Sequence, residues 1–449
     1  MLSNMNKKNV AVVGAGLVGS LWAVYLAKRG YTVSVFDRRS DIRNVKVVQG
    51  KSINLALSDR GWKGLEGANI RKEIEAVALP MSGRLMHAVT GELTYQPYGK
   101  EGQAIYSVSR GILNQTLVRC AAEFENVSLN FEHKCVDVEL DTNTIVFEGK
   151  NGERVRQQFD QIFGTDGAFS AVRARMTKLD RNEYSQSYLD HGYKELEIPA
   201  NADGTHQMRK DCLHIWPRGE FMMIALPNID GSFTCTLFFP FEGEVSFDKL
   251  KTDQDVLDFF EKYFPDAKAM MPELLLDFNT NPTASLVMTK CNPWNYKNQV
   301  ALMGDSAHAI VPFYGQGMNS GFEDCSELNR LMNEMGEDHP DLLKEYGKTR
   351  KPNGDAILEL ALRNYIEMRD LTADKDFLLQ KKIEGRFATK YPEKWIPLYS
   401  QVTFSHIPYS EALSSGIRQN EIMKEVMNRP DIEAVWDSEE IENEILKRL

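Results

Sequence analysis

At 449 residues, with 42% hydrophobic and 26% charged side chains, the chain is long enough for two or three domains, or for one large core with a second layer. A formal charge of −11 without a basic run of five or more excludes nucleic acid as the main partner and leaves any anionic ligand to local cations. Six cysteines without CxxC spacing and eight histidines without HxxxH spacing argue against a zinc site or a disulfide scaffold. No metal site is expected, and a reducing compartment is.

Val10–Val13 reads as a buried parallel strand, Leu17 to Arg29 as a helix ended by Gly30, and Thr32–Phe36 as a second strand closing at Asp37. The first turn is Gly14-Ala-Gly16-Leu-Val-Gly19. Gly14 permits the tight turn, Gly16 lets backbone approach a pyrophosphate, and Gly19 lets helix and strand pack closely, so that the helix N-terminus faces the phosphates. Asp37, 23 residues beyond Gly14, is placed to accept the ribose hydroxyls of an adenosine. The uncharged stretch after Lys7-Lys8 also has the layout of a signal peptide, but the glycine spacing accounts for it better. The charged amphipathic end, Ser438–Leu449, offers no apolar span, and a cytoplasmic protein is expected.

From Leu79 to Glu101 the helical signal gives way to short, turn-punctuated segments. His133 to Gly164 alternates like a hairpin pair with Asn151-Gly152 at its turn. Asp166-Gly167 follows a buried strand, with Arg173 on the next turn. Glu183 to Lys290 is β-rich, as in Phe221–Leu226 and Phe233–Phe239, and from Gly317 onward the pattern is helical, notably over Tyr346–Arg363.

Between them lies the most informative segment, Val300 to Asn319. An apolar run ends in Gly304-Asp305, Pro312 stiffens the loop, and Gly315-Gln-Gly317 opens a helix. An aspartate at that turn suits ribityl hydroxyls. The helix directs its positive end at the flavin edge where charge develops on reduction. Two nucleotide-facing segments about 290 residues apart imply one FAD held at both ends.

The expected fold is α/β: a Rossmann-like FAD-binding domain (1–78, 102–180 and 291–372), an inserted β-sheet substrate domain (79–101 and 181–290) and a C-terminal helical cap (373–449). The cofactor-binding candidates are Gly14, Gly16, Gly19, Asp37, Arg38, Arg110, Asp166, Gly304, Asp305, Gly317, Met318 and Asn319.

These elements, in this order, resemble the class A flavoprotein aromatic hydroxylases. No second GxGxxG is present, which fits that family, where the nicotinamide nucleotide binds transiently in a groove. The resemblance narrows with Lys51-Ser-Ile-Asn-Leu-Ala-Leu-Ser58, Gly83-Arg84-Leu-Met-His87, Gln96-Pro-Tyr98-Gly99 and His191-Gly-Tyr-Lys-Glu-Leu196. It continues in His214-Ile-Trp-Pro217, Ile224-Ala-Leu-Pro-Asn228, Asn364-Tyr-Ile-Glu-Met368 and Tyr399-Ser-Gln-Val-Thr-Phe404. From about Lys8 to Tyr409 the chain is similar to the kynurenine 3-monooxygenase family, in its bacterial soluble type. Tyr314 departs from it, since bacterial relatives carry a histidine there. Asp37 stands for a commoner glutamate, and the membrane-anchoring tail of eukaryotic members has no counterpart.

The resemblance implies bound FAD, NADPH as transient co-substrate, and O₂. It implies hydroxylation of L-kynurenine to 3-hydroxykynurenine through a flavin C4a-hydroperoxide, within tryptophan catabolism, by a monomer or homodimer. Arg84 would clamp the substrate carboxylate bidentately. Tyr98 and Tyr399 would add hydroxyl bonds and Asn364 a further polar contact, while Ile224, Leu226, Phe238, Phe313 and Met368 would wall the ring. His87 and His308 read as structural, and no general base is assigned. Two alternatives stay open: hydroxylation of another aromatic acid, anthranilate- or salicylate-like, and a flavin-dependent redox-sensing module without turnover.

Overall fold

A strand buried on both faces has to be apolar along its whole length, and Val10, Ala11 and Val12 are each fully buried. In the computed structural model, which describes residues 8–45, 53–99, 102–367 and 374–449, this strand (Asn9–Val13) lies inside a six-stranded sheet. The order is Asn295–Tyr296, Val300–Leu302, Gln161–Gly164, Asn9–Val13, Thr32–Phe36, Val127–Asn130; every pair is parallel except the first. The helices Leu17–Lys28, Arg110–Ala122 and Gly317–Met335 pack together beside it. The two segments expected to hold FAD therefore leave the two strands that flank Gln161–Gly164: Gly14 follows Val13 on one side, and Gly304 lies just beyond Leu302 on the other. The stretch 133–164 contains more than a hairpin. Lys134–Glu139, Thr144–Glu148 and Arg154–Gln158 form a three-stranded antiparallel sheet before Gln161–Gly164 returns to the parallel one.

The second large sheet has seven strands: Ala284–Asn292, Glu183–Ile198, Phe233–Pro240, Met222–Pro227, Cys212–Pro217, Gly83–His87 and Leu93–Pro97. Alternation divides its side chains between two faces. On one, Trp216, Met223, Leu237 and Phe239 form a core with Val256, Phe260 and Phe278 of the helices Asp253–Tyr263 and Leu274–Thr280. The other face looks toward the 312–314 turn and the helices Leu342–Ile366, Leu398–Thr403 and Tyr409–Met427. The final helices add a small core of their own, with Phe387, Trp395, Met423 and Ile441.

Candidate active site

The register brings together residues far apart in sequence. Arg84 is paired with Leu213, Met86 with Ile215, and Ile215 with Ile224. Ile224 in turn is paired with Thr236, Leu226 with Thr234, and Met222 with Phe238. Since paired residues share a face and alternate residues repeat it, Arg84, Ile224, Leu226 and Phe238 all project from the same side. Tyr98 joins them because its amide bonds the Ser82 carbonyl at 3.1 Å, which sets it diagonally across from Arg84.

Over this floor lie residues of the helical region. The Tyr399 ring is parallel to Tyr98 with centroids 5.5 Å apart, and Tyr314 stacks on the other side of Tyr399 at 5.7 Å. The Arg84 guanidinium stands 4.5 Å from the Tyr399 centroid and 5.3 Å from that of Tyr98. Burial alone would weaken its charge, but the Tyr399 and Tyr98 oxygens hold its pKa up, so Arg84 is cationic. Burial pushes the Tyr98 and Tyr314 phenols well above their ordinary range, so both are neutral donors. Among the described residues Arg84 has no carboxylate partner, and its buried Nε and the Tyr98 hydroxyl lack a hydrogen-bond partner of good geometry. A half-buried cation and enclosed donors of this kind are arranged for a ligand carboxylate.

Phe238 and Phe313 meet at 4.9 Å, and Phe313 stacks on Tyr365 at 4.3 Å. Asn364 donates through Nδ2 to the Phe313 carbonyl at 2.8 Å, so at least one of its donors holds the 312–314 turn. Met368, and Lys51-Ser52 of the motif at 51–58, lie outside the described residues.

The residues present fit FAD. A Cβ on Gly14 would lie 2.5 Å from the Thr165 carbonyl oxygen, and one on Gly19 would collide with the Gly14 carbonyl. At Gly16, by contrast, nothing stands within 4 Å, which leaves room for phosphate at the mouth of a helix with no side-chain cap. Gly304 and Gly315 have φ of +60° and +67°, open to glycine. In the Gly317–Met335 helix the first internal bond runs from the Ser320 amide to Gln316, so the N–H groups of Gly317, Met318 and Asn319 have no intrahelical acceptor. Asp305, Arg38 and Arg110 are exposed, Arg110 at the head of its helix.

Other candidates carry internal bonds. Asp37 accepts from the Ala15 amide at 2.9 Å and from both the backbone and side chain of Arg39. Asp166 accepts from the Ala171 amide and the Ser306 hydroxyl, which joins the 166–173 loop to the turn at 304–306. The Asn319 side chain is spent between the Ser58 amide and the carbonyls of Ala56 and Gly315, leaving its backbone for a ligand.

A buried ionic chain missed in the sequence lies beneath. Arg60 binds Glu323 at 2.5 Å and the Val402 carbonyl, with Tyr409 beneath it at 4.0 Å. Arg350 joins Glu323 to Asp324, and Asp324 accepts from His308 and from the Gly304 amide at 2.8 Å. Burial opposes charge on both carboxyls, but Arg350 with Arg60 at Glu323, and His308 with Arg350 at Asp324, hold them below the usual range. His87 is also structural: on the far face it bridges Asp266 and His214 at 2.9 Å each. No single-residue pattern marks either cluster, since their members come from separate elements.

Residues 7–361 match the family model of the FAD binding domain. The chain is 54% identical to the kynurenine 3-monooxygenase of Flavobacterium johnsoniae, over 98% of both chains. It is 45% identical to that of Dictyostelium discoideum over 94% of each, and 44% identical to that of Sus scrofa over 92% of this chain and 87% of the relative. The chain belongs to the kynurenine 3-monooxygenase family. Among solved structures it is similar to 2-methyl-3-hydroxypyridine-5-carboxylic acid oxygenase, with a TM-score of 0.67 at 18% identity, covering 87% of this chain and 98% of the other. It is also similar to PqsL of Pseudomonas aeruginosa, with a TM-score of 0.64 at 17% identity over 81% and 97%. At such identities the likeness concerns the fold, which for this kynurenine 3-monooxygenase family member is the α/β flavoprotein hydroxylase architecture expected from the sequence.

Proposed function

We propose that this family member is an FAD-dependent monooxygenase that hydroxylates L-kynurenine to 3-hydroxykynurenine with NADPH and O₂. The carrying observation is Arg84: a half-buried cation with an enclosed Nε and without a carboxylate partner among the described residues, flanked by two tyrosines, at one end of an apolar floor. Arg84 takes the α-carboxylate bidentately, and the Tyr98 and Tyr399 hydroxyls donate to it. Ile224, Leu226, Phe238 and Phe313 hold the ring and exclude water. FAD, when bound by the glycine turns and helix N-termini, supplies the electron transfer from NADPH and the activation of oxygen. The substrate's aniline nitrogen already enriches the ortho ring carbon in electrons, so no protein base has to ionise the ring first.

The apolar floor also suits other aromatic acids, which a panel of substrates beside L-kynurenine discriminates. The negative charge, the reduced cysteines and the lack, among the described residues, of a helix long and apolar enough to cross a membrane support a cytoplasmic enzyme, acting as monomer or homodimer. The test is NADPH oxidation by the FAD-loaded protein in air, with and without L-kynurenine, followed by mass analysis. Stimulation with a product one oxygen heavier is expected. Stimulation without that product would make kynurenine an uncoupling effector, and no stimulation would remove the assignment.

A further inference from the structure

The carboxylate clamp draws on two separate parts of the fold. Arg84 and Tyr98 belong to the large sheet, whereas Tyr399 lies in the first turn of the six-residue helix Leu398–Thr403. A helix this short does not hold itself in water, so contacts from outside fix where Tyr399 stands. They have to do so to within about 1 Å, because the Tyr399 hydroxyl shares one small anion with Arg84.

One set of contacts is local. Leu398 packs so closely on Gly416 that a Cβ there would lie 2.6 Å from it. The Gln401 side chain donates to the Ile396 carbonyl at 2.7 Å and to the Ser415 hydroxyl at 3.1 Å. The other set comes from far away in sequence. The last carbonyls of a helix need donors from outside its own ladder. The Phe404 amide takes that of Ser400 at 2.9 Å, and Arg60 reaches the next two, from Nε to Val402 at 3.1 Å and from Nη2 to Gln401 at 3.4 Å. Nη2 also bonds the Ile407 carbonyl.

Arg60 is fully buried, and the rest of its guanidinium is committed to the flavin-binding region. Nη1 donates to Glu323 at 2.5 Å, Arg350 joins Glu323 to Asp324, and Asp324 accepts the Gly304 amide at 2.8 Å. The guanidinium also lies over the Tyr409 ring at 4.0 Å. The Tyr409 hydroxyl in turn donates to Gln316 Oε1 at 2.8 Å, one residue before the helix Gly317–Met335. Arg60 thus stands at the joint between the Tyr399 segment, the turn at Gly304 and the head of the Gly317 helix.

We propose that Arg60 is a positioning residue for substrate binding: it fixes the Tyr399 helix to the flavin-binding region and so sets the Tyr399 hydroxyl beside Arg84 for a shared carboxylate. This rests on the kynurenine reading above and deepens it. Arg60 acts through the backbone of residues 401–407, not by touching the ligand. A guanidinium suits the task, since its planar fork serves a carboxylate on one edge and carbonyls on another.

The test is a double-mutant cycle on the FAD-loaded protein, with L-kynurenine affinity read from flavin absorbance and kynuramine, which lacks the carboxylate, as control. Arg60→Met removes the donors and keeps the length; Arg60→Lys, which keeps a cation beside Glu323, serves as the second variant should methionine unsettle the fold. Arg60→Met should weaken L-kynurenine about tenfold, the same loss as Tyr399→Phe, with kynuramine affinity and FAD content near their starting values. In the Arg60→Met background Tyr399→Phe should cost less than about threefold, since a displaced hydroxyl has little left to lose. In Arg60→Lys both departures should be smaller and of the same sign. An arginine that only stabilised the fold would lower the denaturation midpoint and leave the Tyr399→Phe cost at its full value. That undiminished cost in each variant that folds, or an equal loss for kynuramine, would overturn the positioning role while leaving the kynurenine reading in place. If L-kynurenine does not bind the unsubstituted protein, the kynurenine reading fails and the positioning role fails with it.

Discussion

Replacing Arg84 is the sharpest probe of the site. Truncating one partner of a buried, hydrogen-bonded charge pair costs about 2–5 kcal/mol, much of it from the charge left unpaired. Arg84 is partly rather than fully buried, although its Nε is enclosed, so the lower half of that range applies. At 1.4 kcal/mol per factor of ten, ~2–3 kcal/mol corresponds to a loss of roughly 30- to 150-fold in affinity for L-kynurenine in Arg84→Ala. The substitution also removes the cation from two aromatic faces, at ~0.5–1 kcal/mol each, so a small fall in thermal stability should accompany it. Binding is read from the change in flavin absorbance on titration of the FAD-loaded protein. Kynuramine, which lacks the carboxylate, provides the control, because the substitution should leave its affinity nearly unchanged. Arg84→Lys should fall between, since a lysine keeps the charge but lacks the planar fork. Kynurenine binding within twofold of the starting value in Arg84→Ala, or an equal loss for kynuramine, would refute the clamp.

Tyr399→Phe keeps the stacked ring and loses only a donor to a charged acceptor, so kynurenine affinity should fall about tenfold with FAD content intact, as titration would show. Gly19→Ala drives a methyl group into the Gly14 carbonyl and the Thr165 hydroxyl, and the purified protein should come out colourless, which its visible spectrum would decide. His214 supplies a pH dependence. Burial lowers it to about 4 in the folded protein, against about 6.5 unfolded, so the unfolded chain takes the proton first. Its contribution is therefore complete above pH ~6.5 and is lost as pH falls toward 4, on the order of 3 kcal/mol in all. Denaturation midpoints at pH 7 and 5 should show the drop, and His214→Gln should flatten it.

What the sequence determined by itself was local in origin. An apolar strand, a glycine turn and a helix lie within 20 residues, and the same is true of Val300 to Asn319, so both ends of the proposed FAD site follow from spacing alone. The motifs that resemble the kynurenine 3-monooxygenase family also named Arg84, Tyr98 and Tyr399 without any geometry. Tertiary structure decided how those residues meet. Register puts Arg84, Ile224, Leu226 and Phe238 on one face, because a slip of one residue would turn each strand's side chains over. It also moved the Asn319 side chain into internal bonds and assembled the Arg60–Glu323–Arg350–Asp324–His308 chain from four separate segments. Local patterns encode which backbone forms; only long-range pairing and packing fix which side chains share a chamber.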